Sequence, residues 1–153
     1  MSKEFSLGCN GRGIMHTKPL PVDDQFRMIK ESGVFDHFDR IPQPGEEREY
    51  LRASDKYGVP MTTGLWTYVV GQDEELVARN LRFAKEAGIK CHNLMISTNH
   101  ADGRVVNDDE VVEFYLRAYE LGDKLGVTIC VEVHIYMFTE DFRRVIAWNE
   151  GKD

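Results

Sequence analysis

The sequence predicts an α/β fold, a partial (β/α) TIM-type barrel with about five parallel strands, and three observations carry that expectation. A glycine followed by Val or Ile recurs at Gly33-Val34, Gly58-Val59, Gly88-Ile89 and Gly126-Val127, and each pair joins a charged amphipathic stretch to an apolar run. Glycine takes the left-handed conformation that ends a helix at little cost, and the β-branched residue after it opens a buried strand. Helices and strands then alternate along the chain, which implies a parallel sheet. In the fifth apolar run, Ile129, Val131, Val133 and Ile135 alternate with Thr128, Cys130, Glu132 and His134. A strand inside an open doubly wound sheet meets helices on both faces and is apolar on both, whereas a barrel strand turns one face to helices and the other toward a polar mouth. The length of 153 residues keeps an open flavodoxin-like doubly wound sheet as the alternative, because a complete eight-unit barrel takes about 250 residues.

The elements follow in order. Phe5 to Cys9 reads as strand one, and a glycine-rich loop from Asn10 to Pro21 leads to a helix starting at Asp23 or Asp24 and ending near Ser32. Val34 to Ile41 is strand two. The Pro42-Gln43-Pro44-Gly45 turn precedes a Glu-rich helix from Glu46 to Lys56, whose early acids suit the helix dipole. Val59 to Trp66 is strand three. Asp73 to Ala87 is a helix with Asp73 as its cap and Leu76, Val77, Asn80, Leu81, Ala84 and Ala87 near one face. Ile89 to Ile96 is strand four, and Ser97 to Asn107 is a long polar loop. Asp108 to Leu125 is a helix offering Val111, Val112, Tyr115, Leu116, Tyr119 and Leu121 for burial, and Val127 to Ile135 is strand five. Thr139 caps a last helix that runs through Ile146 or Trp148. No linker or second domain interrupts the chain, so residues 1–153 read as one domain.

Composition narrows the function classes. A net charge of −7, with lysines and arginines dispersed among acids, gives no basic field for nucleic acid or an anionic membrane surface. No apolar run is long enough to span a bilayer, and Met1 to Phe5 lacks a signal core, so neither membrane insertion nor secretion is expected. Cys9, Cys91 and Cys130 are odd in number and share no metal-ligand spacing. They read as buried reduced thiols of a cytoplasmic protein.

The residues Phe5-Ser6-Leu7-Gly8, the Gly-Val junctions and above all Ile129-Cys130-Val131-Glu132-Val133-His134 resemble the xylose isomerase-like TIM barrel superfamily, over about Phe5 to Val145. Its members include sugar isomerases and sugar phosphate epimerases. The family holds a divalent metal with a Glu at the end of strand five and with Asp, His and Glu from strands six to eight. Glu132 matches the first ligand and the others have no counterpart here, so the resemblance covers the first five strands alone. It implies an isomerase or epimerase acting on a sugar or sugar phosphate, with Mn²⁺ or Mg²⁺ stabilising an enediolate-like state. The metal is expected to be weakly held or absent in this chain alone.

Glu132 is accordingly the candidate metal ligand, and Glu132 with His134, which points the same way two residues later, forms the candidate catalytic pair. Asn10 and His16, in the loop after strand one, are candidate substrate-binding residues, as are Trp66, positioned to stack on a sugar face, and His100 in the polar loop. A non-binding role competes at each of these positions: Trp66 as a core plug, His100 as an exposed loop residue. His92 reads as a satisfied core histidine, and Asp39-Arg40 as part of a surface ion network. Five strands also leave two sheet edges and an inner wall uncovered. The expected partner is a second copy of the chain or a complementary chain. A catalytically silent half-barrel, serving as an assembly or ligand-binding module, is the alternative function.

Overall fold

A computed structural model describes residues 5–14 and 20–150. Its strands are β1 (Gly8–Asn10), β2 (His37–Asp39), β3 (Thr63–Tyr68), β4 (Cys91–Ile96) and β5 (Thr128–Val131). Its helices are α1 (Gly11–Ile14), α2 (Val22–Ser32), α3 (Glu47–Tyr57), α4 (Glu74–Glu86), α5 (Asp108–Leu125) and α6 (Phe142–Glu150), and a 3₁₀ turn, Phe138–Glu140, precedes α6.

The five strands pair in parallel, and two isolated antiparallel bridges, Ser97 to Met137 and Asn99 to Val105, tie the loops beyond them. β1 pairs with β2, β3 with β4 and β4 with β5, while one bridge, Phe38 to Met61, joins β2 to the approach to β3. The strands therefore lie in the order 1-2-3-4-5. A doubly wound sheet reverses its order at a switch point, and no reversal occurs here, which removes the flavodoxin-like alternative. Because parallel crossovers are right-handed and each steps to the next strand in the same direction, all the helices fall on one face. That is the layering of a partial barrel.

The outer, helix-covered face is a continuous core. Phe38 of β2 meets Phe26 of α2 edge-on at 5.1 Å and stacks on Tyr50 of α3 at 6.3 Å. Tyr68 of β3 packs on Phe114 of α5 at 5.8 Å, and the Tyr115 hydroxyl donates to the Leu94 carbonyl at 3.2 Å. All four glycines of the Gly-Val and Gly-Ile junctions have positive φ, from 61° to 75°, as the helix-ending reading requires.

Several expectations need correction. The strands are shorter than the apolar runs: β5 ends at Val131, and Val133 and Ile135 are 49% and 60% exposed. The chain leaves the sheet there and turns through Tyr136, whose φ is 65°. The buried stripe of α5 is Val111, Phe114, Tyr115, Ala118 and Gly122, at helical spacing, whereas Leu116 and Tyr119 are exposed. Asp73 sits at the start of α4, but its carboxylate accepts from the Val69 N–H at 2.8 Å and closes the preceding turn. Thr139 does not cap the last helix, because its hydroxyl donates to the Glu132 carbonyl at 2.6 Å. Asp141 is the residue that accepts from the Arg143 N–H, at 3.2 Å.

Candidate functional site

In a sheet of this kind the carboxyl ends of the strands are where ligands bind, and Glu132 lies one residue beyond β5. Its N–H donates to the Leu94 carbonyl at 3.0 Å, which carries the ladder one step past the strand. Its carbonyl accepts from the Thr139 hydroxyl. The backbone is thus held on both sides, and the pleat puts the side chain on the face of Cys130 and its cross-strand partner Asn93, the inner face. Among the described residues the Glu132 carboxylate has neither a hydrogen bond nor an ion pair.

The other predicted residues divide. Asn10 ends β1 on the inner face, opposite Asp39, so Asn10 and Glu132 share the carboxyl edge of the sheet from its two ends. His134 is exposed, and its Nδ1 is 2.8 Å from the Ile135 carbonyl. With β5 already ended, the strand alternation that aligned it with Glu132 no longer applies. Trp66 pairs with Leu94 within the ladder, which places it on the outer face with Tyr68, partly buried against the core. That position is a core plug and not a sugar-stacking platform. His100 stands apart from Glu132, packed against Gly71 in a cleft of about 210 Å³ between the loop after β3 and α5, lined also by Glu74, Glu110, Glu113 and Arg117. His16 lies outside the described residues.

Two polar chains escaped sequence reasoning. On the inner face the Ser6 hydroxyl is 3.1 Å from His37 Nδ1, His37 Nε2 is 3.3 Å from Asp39, and Thr62 donates to the other Asp39 oxygen at 2.9 Å. Asp39 therefore engages His37 and Thr62, a correction to the Asp39-Arg40 ion network. A Cβ on Gly8 would collide with both His37 and Asp39. On the outer face Asn80 Nδ2 donates to the Tyr68 hydroxyl at 2.7 Å, and that hydroxyl is 2.6 Å from His92 Nε2. With Asn80 supplying a donor, Tyr68 gives its own proton to His92, which leaves the proton of the imidazole on Nδ1. That atom is buried against the Gly64 backbone, toward which it is directed, without a hydrogen bond of ordinary geometry, so His92 is firmly bonded through Nε2 alone. Burial drives its pKa down to about 4, and the same burial raises the Tyr68 hydroxyl far above its usual range.

At the mouth of the loop after β4, Arg104 is 2.5 Å from Glu110 and 3.1 Å from Asp102. The guanidinium holds the Glu110 carboxyl down at about 2. Glu110 also closes a capping box with Asn107 at the start of α5.

No protein-family model and no curated protein matches the sequence. Solved structures do match the architecture. The E. coli 3-keto-D-glucoside 4-epimerase YcjR superposes with a TM-score of 0.70 at 19% identity, over 96% of this chain and 65% of that one. A Methylomonas sp. D-allulose 3-epimerase in complex with D-allulose gives 0.72 at 10% identity, over 95% and 58%. A xylose isomerase-like TIM barrel protein from Mycobacterium smegmatis in complex with magnesium gives 0.69 at 16% identity, over 97% and 61%. The fold is the TIM-barrel fold that these solved structures share. This chain spans 58 to 65% of the length of these three proteins.

The inner face offers one unengaged carboxylate at the end of β5. A divalent ion in a protein site takes several oxygen or nitrogen ligands, and no group of three His, Cys, Asp or Glu side chains among the described residues could hold one. The described donor set does not fit a closed metal centre. Among the described residues no helix is long and apolar enough to cross a membrane.

Proposed function

We propose that the chain is a sugar or sugar phosphate isomerase/epimerase-type protein in which Glu132 contributes one ligand to a divalent-metal site, Mn²⁺ or Mg²⁺, completed by donors beyond the described residues. The observation that carries this reading is Glu132 itself, a carboxylate with no partner among the described residues, held on both backbone sides at the carboxyl end of β5 in a xylose isomerase-like barrel. A carboxylate kept unengaged at that edge is available to a cation or a substrate. Asn10 lines the other end of the same edge and serves as a substrate-binding residue.

The reading includes a partner. Among the described residues β1 pairs only with β2 and β5 only with β4, so each outer strand presents unpaired backbone groups. Past β5, Val133, Ile135 and Tyr136 are 49%, 60% and 78% exposed. A second copy or a complementary chain covers these edges and supplies the missing donors.

Native mass spectrometry of the gently purified chain tests the proposal. The expected spectrum is an assembly retaining one divalent ion per site, with retention lost in Glu132→Gln and turnover of ketoses or their phosphates in the presence of Mn²⁺. A metal-free species identical in the wild type and in Glu132→Gln overturns it. That outcome favours the catalytically silent half-barrel, a reading supported by the lack, among the described residues, of any group of three donor side chains able to hold a metal ion.

A further inference from the structure

Cys91 and Cys130 lie 39 positions apart in sequence and on adjacent parallel strands. The ladder sets Cys91 against Thr128 and Asn93 against Cys130, so the two cysteines are diagonal neighbours on the inner face. Side chains that lean along their strands can meet across such a diagonal, and here the two sulfurs approach to 3.0 Å. Both are free thiols and both are half-buried, on the face that no helix covers. A disulfide bond is about 2.05 Å long with its Cα atoms about 4.4–6.8 Å apart, whereas diagonal neighbours on adjacent strands stand about 7–8 Å apart, so closing one moves the sulfurs by roughly 1 Å and draws β4 and β5 together at that point. Cys9 is the internal contrast: it is buried on the outer face, opposite Phe38, and burial and the nearby Asp39 raise its thiol.

We propose that Cys91 and Cys130 are a reversible redox pair, which a low-molecular-weight disulfide such as oxidised glutathione converts to an intramolecular disulfide tying β4 to β5 two residues before Glu132. The Cys130 thiolate attacks one sulfur of the small disulfide, whose S–S bond breaks and releases one thiolate. Cys91 then gives up its proton and attacks the Cys130 sulfur of the mixed disulfide, releasing the second thiolate. Two protein thiols are oxidised by two electrons, and the small disulfide is reduced to two thiols. Burial and the adjacent Cys130 sulfur push the Cys91 thiol up, and the same disulfide forms if Cys91 makes the first attack.

The pair requires neither a metal nor a sugar, so its test is independent of the isomerase reading. The full chain is equilibrated with graded ratios of oxidised to reduced glutathione, its free thiols are alkylated, and intact and peptide masses are recorded. The expected product is two hydrogens lighter, is alkylated once, at Cys9, and yields a linked peptide containing Cys91 and Cys130 that dithiothreitol separates. Cys91→Ser and Cys130→Ser, each with the circular dichroism of the wild type, stop at a mixed disulfide on the remaining cysteine. The proposal is overturned if the wild type also stops at mixed disulfides, or if its disulfides link separate chains.

Discussion

The two faces of the sheet are built on different terms. On the outer face Phe38, Tyr68, His92, Leu94 and Ile96 are wholly inaccessible to solvent, packed beneath helices such as α2, α3, α4 and α5. On the inner face Leu65, Thr67, Asn93, Cys130 and Glu132 are only half-buried. The difference separates stability from function: the outer face is closed by the chain's own helices, while the inner face is small, polar and open to whatever binds it. Substitutions on the outer face should therefore act on folding, and those on the inner face on ligand, redox or partner chemistry.

The same substitution on opposite faces of neighbouring strands is the strongest way to break this contrast. Leu94→Ala removes a fully buried side chain and is expected to cost about 3 kcal/mol. Leu65→Ala, on the half-buried inner face, is expected to cost about 1 kcal/mol. Urea unfolding of both variants measures the gap, and equal losses would erase the distinction.

Acid titration sharpens the contrast from the outer side. The folded pKa of His92, about 4, lies below its ordinary value of 6.5. Between those values the unfolded chain binds a proton that the folded chain refuses, so stability falls as pH drops from about 6.5 toward 4. For this residue the loss reaches roughly 3 kcal/mol near pH 4, and it vanishes above pH 7. Denaturation midpoints measured from pH 4.5 to 7 should fall more steeply in the wild type than in His92→Gln, and identical slopes would remove the buried-neutral assignment.

The smallest expected effect belongs to the inner face. Because the Glu132 carboxylate has no hydrogen bond or ion pair among the described residues, Glu132→Gln should change stability by less than about 0.5 kcal/mol. A loss of more than 1 kcal/mol in the thermal midpoint analysis would make Glu132 a structural residue.

What the sequence revealed follows this same division. The outer face was legible because it depends on local rules: a glycine ends each helix, a β-branched residue opens each strand, and Ile129 and Val131 alternate toward the helices. Glu132 was legible for a related reason, as the polar residue at the end of such a strand. The errors arose where contacts between distant segments decide. The buried stripe of α5 depends on which strands lie beneath Phe114 and Ala118. The Tyr68, His92 and Asn80 network needs the register of β3 on β4. His100 meets Gly71 only because Gly71 turns with φ 84°, bringing the two loops together. The approach of Cys91 to Cys130 is likewise a property of register, and three unevenly spaced cysteines carry no local trace of it.

The sequential strand order also bears on how this chain is made. Each strand pairs with the one synthesised just before it, and the Phe38 to Met61 bridge extends that rule from β2 to the approach to β3. During translation, which proceeds from the N-terminus at about 5–20 residues per second, every strand after the first leaves the ribosome with its neighbour already present. Each new strand adds to the edge left by the one before it, so the growing sheet can advance one βα unit at a time, the β1 edge staying behind while the other moves forward.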